Sequence, residues 1–285
     1  ALSMTDTPSL SQLLTVMRQL RDPDHGCDWD RKQTLQSLIA YTLEEVYEVI
    51  DAVERGDFLQ LRDELGDLLF QVVFYAQIAN EEGRFNFNDV AQAVAEKLLH
   101  RHPHVFPDGT MQSFGSETLA LDAETVAIRW EQIKNLEREL KASRTPSGTV
   151  PSVLDDVPGT LPAMERGRKL QKRAASLGFD WQDPQPVLAK LLEEIAELEV
   201  EMRRQDKEGM QAEFGDVLFS CVNLARHLDI DPETALRAAN RKFEQRFRSM
   251  EVVALARQMP LHAMDMAALD DLWNEIKTEE ARSKV

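Results

Sequence analysis

The sequence predicts an all-α protein built as two related helical modules, and three observations carry that reading. Apolar residues recur at three- and four-residue spacing along most of the 285 residues, with no run of strand-like alternation. Gly and Pro number 12 each and aromatics make up 7%, while the good helix formers Ala, Leu, Glu, Gln and Arg are abundant. Two acidic blocks from the first half of the chain reappear in the second at one fixed separation.

Each element follows from its own signals. Ser9 is placed to cap a helix carrying Leu10, Leu13, Leu14, Met17 and Leu20, which stops before Asp22-Pro23. A loop is expected over 24–32. A second helix, 34–54, is closed by Gly56, and a third, 58–82, ends at Gly83 as a left-handed cap. A fourth covers 88–100 and is closed by His102-Pro103, and a fifth covers 120–141 after an irregular stretch. Residues 143–162 concentrate Pro, Gly, Ser and Thr and read as a linker. The helical pattern then resumes over 160–177, 185–205, 207–228, 232–250 and 266–281. The expected modules are 5–142 and 163–285, in keeping with roughly 150 residues per domain.

Composition excludes several classes. A formal charge of −17 opposes non-specific nucleic-acid binding, which needs a basic footprint, yet leaves room for a local basic pocket. With 43% hydrophobic and 29% charged residues the chain has a globular balance, and each half is long enough for its own core. Cys27 and Cys221 lie far apart and belong to no CxxC, which fits a reduced, cytoplasmic protein. Cys221 sits in an apolar helix segment and is expected in the core. The longest uncharged apolar stretch, 68–80, is too short to span a bilayer. No basic segment followed by an apolar one opens the chain, and Ala1-Leu2-Ser3 ahead of Met4 reads as an appended remnant.

The internal repeat is the strongest organisational signal. Leu43-Glu44-Glu45-Val46-Tyr47-Glu48 returns as Leu192-Glu193-Glu194-Ile195-Ala196-Glu197, and Glu64-Leu65-Gly66-Asp67 returns as Glu213-Phe214-Gly215-Asp216. Both blocks shift by the same 149 positions, Glu44 to Glu193 and Glu64 to Glu213. Weaker echoes pair Lys97 and Arg101 with Lys242 and Arg246, and Trp130 with Trp273. One duplicated module accounts for all of them.

In the second copy Glu194 and Glu197 share one helix face, and Glu213 and Asp216 share a face of the next. A turn near Asp206 and Gly209 lets these helices run antiparallel, so the acidic pairs can face each other. Four carboxylates brought together repel unless a cation neutralises them, and an all-oxygen set suits Mg²⁺, with Mn²⁺ as a substitute. A lone ExxE is usually a solvated face. Here Asp216 interrupts the apolar run Phe214–Phe219, where a charge is unfavourable unless paired, and Asp67 repeats the intrusion. Gly215 and Gly66 beside them lower helix propensity and suggest close approach by a ligand or a helix.

The EExxE and ExxD blocks, present twice, with Gly26-Cys27-Asp28-Trp29-Asp30 upstream, resemble the MazG family of nucleoside triphosphate pyrophosphohydrolases from Leu10 to Lys277. That resemblance implies an all-α, Mg²⁺-dependent, dimeric enzyme that cleaves NTPs and dNTPs between the α- and β-phosphates. It implies Glu194, Glu197, Glu213 and Asp216 as metal ligands, with Glu193 orienting the attacking water. It also implies Lys190, Lys242, Arg246 and Trp273 as substrate contacts, and Glu45, Glu48, Glu64 and Asp67 as a second metal set. Asp28 stands where the family often has Pro, and Gly209-Met210-Gln211-Ala212 carries less charge than is usual there. Lys190 aligns with Tyr41, so the first copy lacks that cation, although it has Lys97, Arg101, His100, His102 and His104. The second half is therefore expected to carry the main site.

Other classes fit less well. A ferritin-like di-iron bundle needs Glu-x-x-His, and none of the six histidines has a Glu three residues before it. There is no Walker A or GxGxxG pattern. A non-catalytic helical scaffold binding a divalent ion is the remaining alternative.

Overall fold

The computed structural model describes residues 8–116, 121–142, 152–155 and 157–283. Half of the expected linker (143–151 and 156), residue 120, and the outer ends of both expected modules lie outside the described residues. The chain forms two compact units, Ala1–Thr145 and Pro146–Val285. Among the described residues there are eleven α-helices and no strand. No helix there is long and apolar enough to cross a membrane.

Unit 1 contains α1 (Pro8–Leu20), α2 (Asp28–Lys32), α3 (Leu38–Arg55), α4 (Phe58–Glu81), α5 (Phe87–Arg101) and α6 (Ala123–Ala142). The short α2 corrects the loop expected over 24–32. Asp28 and Asp30 in its first turn and Arg31 and Lys32 in its last suit the helix dipole, and Arg31 donates to Asp28. α3 begins later than expected because Thr34 and Ser37 bond each other's backbone N–H through their hydroxyls and hold a turn there. The core gathers Met17 from α1, Leu38 from α3, and Val73, Phe74 and Ile78 from α4, with Tyr41, Phe70 and Tyr75 packed around it. Arg21 fastens the end of α1 to α4, donating to Glu81 at 2.9 Å while its guanidinium lies over Phe74.

Unit 2 contains α7 (Ala163–Ala175), α8 (Pro184–Arg204), α9 (Lys207–His227), α10 (Pro232–Ala256) and α11 (Met266–Ser283). α10 runs beyond the expected 250 because Met250 and Ala254 are buried against Leu272 and Ile276 of α11. In the part of the expected linker that is described, Val157 is buried. α7 crosses α9 closely at Gly167, where a Cβ would sit 3.5 Å from the Phe219 ring. Cys221 is exposed, which corrects its expected place in the core. It shares a helix stripe with Phe214 and Leu218, both also exposed, so the apolar run on α9 wraps past the buried face.

The repeat survives in detail. Gly56 (φ 69°) ends α3 and Asp57 caps α4; 149 positions on, Gln205 (φ 59°) ends α8 and Asp206 caps α9. Gln205 thus holds a left-handed conformation that disfavours a side chain by about 1–2 kcal/mol. Both units also carry one arginine clamp. Arg101 bonds Glu137 and lies 5.5 Å from the Trp130 ring, and Arg246 bonds Glu280 and lies 5.7 Å from Trp273.

Candidate active site

The hairpins α3–α4 and α8–α9 bring the expected carboxylates together in both units. Capping fixes each hairpin's register. Asp57 accepts from the N–H groups of Leu59 and Gln60, and Asp206 accepts from Glu208 N–H, so each second helix starts at a defined residue. Glu194, Glu213 and Asp216 each place a carboxylate oxygen within 4.8 Å of the others, and so do Glu45, Glu48 and Glu64. These are all hard oxygen donors, the kind of group that would suit Mg²⁺. The third acidic group, Asp22, Asp24 and His25, is an exposed turn in which Asp22 accepts from the two following backbone N–H groups.

The electrostatics show carboxylates crowded on one another. Glu197 in unit 2 and Asp67 in unit 1 fall outside these groups of three. Desolvation, and then the charges of Glu194 and Glu213, push the Glu197 carboxyl above its ordinary range. Asp67 likewise acts on Glu45, whose carboxyl is raised first by desolvation. A hydrogen bond with Glu64 raises Glu48. Lys190 supplies a counter-charge in unit 2, with its Nζ 2.8 Å from Glu193 and 2.7 Å from Glu194. Glu194 is only 6% exposed.

A cavity of about 420 Å³ opens beside the unit 2 cluster and includes Lys190, Glu194 and Asp216 in its wall. The rest of the wall is largely apolar, from Leu154, Leu170, Ala174, Phe179, Trp181, Val187 and Phe219. On its polar side Arg226 donates to Asp180 at 2.8 Å and to Asn223 at 3.1 Å, and His227 is 2.9 Å from Asp180. Those bonds to Arg226, then His227, hold the Asp180 carboxyl below its ordinary value.

The first copy keeps the carboxylates but places different side chains around them. At the 149-residue shift Val187, Phe219 and Val222 match Leu38, Phe70 and Val73, like for like. Lys190 and Asn223, however, match Tyr41 and Phe74, and His227 matches Ile78. Phe74 is fully buried and Tyr41 packs against the same core. Trp29 of the Gly26–Asp30 segment stacks edge-on against Tyr41 at 5.7 Å.

Not every expected residue joins the cluster. Lys242, Arg246 and Trp273 are absent from the cavity wall. Lys242 is exposed, while Trp273 packs on Phe243 and on the α10–α11 core. No neighbouring helix comes close at Gly66 or Gly215, since no protein atom lies within 4 Å of a Cβ built at either, which corrects the helix approach expected there. Gln171, Asp180, Asn223 and Arg226 were missed by the sequence reading. For Asn223 the signal was present, as a polar residue replacing Phe74 inside an otherwise matched apolar pattern.

Comparison with known proteins agrees with this geometry. Residues 33–106 and 182–250, which hold the two hairpins, match the family model described as the MazG nucleotide pyrophosphohydrolase domain. The chain is 49% identical over 273 residues to a nucleoside triphosphate pyrophosphohydrolase of Escherichia coli strain K12, covering 95% of this chain and 98% of that one. It is 41% identical over 266 residues to the nucleoside triphosphate pyrophosphohydrolase/pyrophosphatase MazG of Thermotoga maritima, covering 93% and 94%.

Proposed function

The chain belongs to the MazG family of nucleotide pyrophosphohydrolases, and from that premise we propose that unit 2 carries the working site. The protein is a nucleoside triphosphate pyrophosphohydrolase, a hydrolase of phosphoanhydrides. One observation supports the placement: in unit 2 Glu194 and Asp216 stand at the wall of a cavity beside Lys190, whereas in unit 1 the positions matching Lys190 and Asn223 hold the half-buried Tyr41 and the buried Phe74.

Glu194, Glu197, Glu213 and Asp216 would hold Mg²⁺, or Mn²⁺ in its place, and the ion would supply Lewis-acid stabilisation of phosphate charge and lower the pKa of a coordinated water. Lys190, whose Nζ lies beside Glu193 and Glu194, would contact the triphosphate. Glu193, whose Oε1 accepts from Lys190, would orient the attacking water and accept its proton. Water's oxygen joins phosphorus as the α–β anhydride bond breaks, giving a nucleoside monophosphate and pyrophosphate. For Lys242, Arg246 and Trp273 as triphosphate contacts, the support is the family resemblance. Within this chain Arg246 and Trp273 form the packing clamp that Arg101 and Trp130 repeat. Glu45, Glu48, Glu64 and Asp67 are a second cation set, in the copy that has Tyr41 and Phe74 where unit 2 has Lys190 and Asn223. The protein acts as a homodimer, a reading supported by the exposed apolar residues Leu192, Ile195, Phe214 and Leu218 on the α8–α9 hairpin.

The test is product analysis with and without chelator. NTP should yield the monophosphate and pyrophosphate only when a divalent ion is present. Release of diphosphate and orthophosphate, or a rate untouched by chelation, would overturn the reading.

A further inference from the structure

Along α4 of unit 1, residues 64, 67, 71 and 75 fall on one stripe, at the three- and four-residue spacing of a helix face. Both ends of that stripe meet α3. At one end Glu64 stands with Glu45 and Glu48, their carboxylate oxygens within 4.8 Å of one another. At the other the Tyr75 hydroxyl is 3.0 Å from Thr42 Oγ1. Gln71 lies between these two contacts and is 5% exposed. Its Oε1 is buried without a hydrogen-bond partner, although buried side-chain acceptors are nearly always satisfied.

Its neighbours on the stripe do not satisfy it. Thr42 donates its one hydroxyl hydrogen to the Leu38 carbonyl, so the hydrogen shared with Tyr75 is the tyrosine's, and both hydroxyls are spent. A helical side chain leans towards the N-terminus of its own helix, which carries the Gln71 amide towards Asp67 and the acidic end of the hairpin. Ionised carboxylates only accept. Glu64 takes a neutral donor, Gln60 Nε2, at 3.2 Å, and Tyr41 stands where unit 2 has Lys190. The amide faces its oxygen inward, the orientation that a cation draws, whereas carboxylates alone would draw the N–H₂.

We propose that unit 1 holds a structural divalent cation, with the amide oxygen of Gln71 added to the carboxylates of Glu45, Glu48 and Glu64, and that this ion fastens α3 to α4. The proposal rests on the reading of these carboxylates as a second cation set. Carboxylate and amide oxygens are both hard donors suited to such an ion. An ion that acts on phosphate keeps positions for water and substrate, and here a buried amide takes one of them. At the matching position unit 2 has Ser220, a shorter side chain in the cavity wall.

The test is Mn²⁺ binding to the full chain, by calorimetric titration with thermal unfolding followed in parallel. In the double variant Glu194→Gln/Asp216→Asn, which removes two of the unit 2 carboxylates, one Mn²⁺ per chain should still bind. Adding Gln71→Leu should weaken that binding by about tenfold and shrink the rise in Tm that Mn²⁺ produces. Without metal the same substitution should not lower Tm, because it removes a buried unpaired acceptor. Gln71→Glu, which returns an oxygen at the same reach, should restore the binding. Mn²⁺ affinity and stabilisation that ignore Gln71→Leu overturn the proposal and leave the second cation set standing, since water would then be what meets the amide. Absence of Mn²⁺ binding in the double variant overturns both.

Discussion

Lys190→Met probes the difference between the two copies most directly. Methionine retains the unbranched stem that lines the cavity and removes the ammonium lying 2.8 Å from Glu193 and 2.7 Å from Glu194. Hydrogen bonds that Lys190 donates to Glu193, then to Glu194, raise its pKa above the ordinary value, so the group is charged throughout the assay range. A charged hydrogen bond to phosphate changes affinity by about one to two decades. The lower figure applies here, because Lys190 is 38% exposed and must first leave two carboxylates. A loss of about tenfold in kcat/KM is therefore expected. Initial rates of pyrophosphate release at saturating Mg²⁺ measure it, with thermal unfolding followed in parallel, since the variant leaves Glu193 and Glu194 without their cation. Tyr41→Phe, at the matching position in unit 1, should change the rate by less than about twofold. A folded Lys190→Met protein with wild-type kcat/KM would refute the assignment, and so would an equal loss from Tyr41→Phe.

Three further outcomes are expected. Glu194→Gln and Asp216→Asn should remove nearly all turnover in a folded protein, whereas Glu45→Gln and Asp67→Asn should leave most of it; the reverse pattern in steady-state rates would move the working site to unit 1. Sedimentation at micromolar concentration should give a dimer, and Leu192→Glu, on an exposed position of α8, should shift it towards monomer. Asp180→Asn should destabilise the protein by about 1–2 kcal/mol at neutral pH through loss of its bonds to Arg226 and His227. Because the folded pKa of Asp180 is depressed, this contribution is complete above the ordinary value of 3.8 and disappears as pH falls through the lower folded value. Melting curves of wild type and variant should accordingly converge in acid, and a gap that persists there would contradict the assignment.

Local chemistry made most of the helices legible. Gly56 and Gly83 end helices in the left-handed conformation their positions suggested, and both acidic blocks lie on adjacent antiparallel helices. The short α2 was hidden because five residues are too few to show periodicity. The extension of α10 depends on Met250 and Ala254 meeting α11, a contact that local spacing does not encode. The carboxylate cluster could be read because a single shift of 149 residues repeats it. The cavity could not: Gln171 and Phe179 precede α8, Asn223 and Arg226 end α9, and only the crossing of α7 over α9 assembles them. Cys221 misled because an apolar neighbourhood in sequence does not distinguish the buried side of a helix from an exposed apolar stripe.

Phe74 and Asn223 occupy one position in two versions of the same hairpin, one solid and one hollow. Keeping a hollow ready lowers the stability of whatever encloses it, since lost packing favours unfolding. Ordinarily that burden is inseparable from the rest of a protein's composition. Here each chain contains its own reference, a hairpin of matched register and matched carboxylates in which Tyr41 and Phe74 stand where the other has Lys190 and Asn223. The heat absorbed by the two units as they melt, with and without nucleotide, would therefore measure what readiness to bind demands of a fold. Nucleotide should raise the transition of the hollow copy towards that of the solid one.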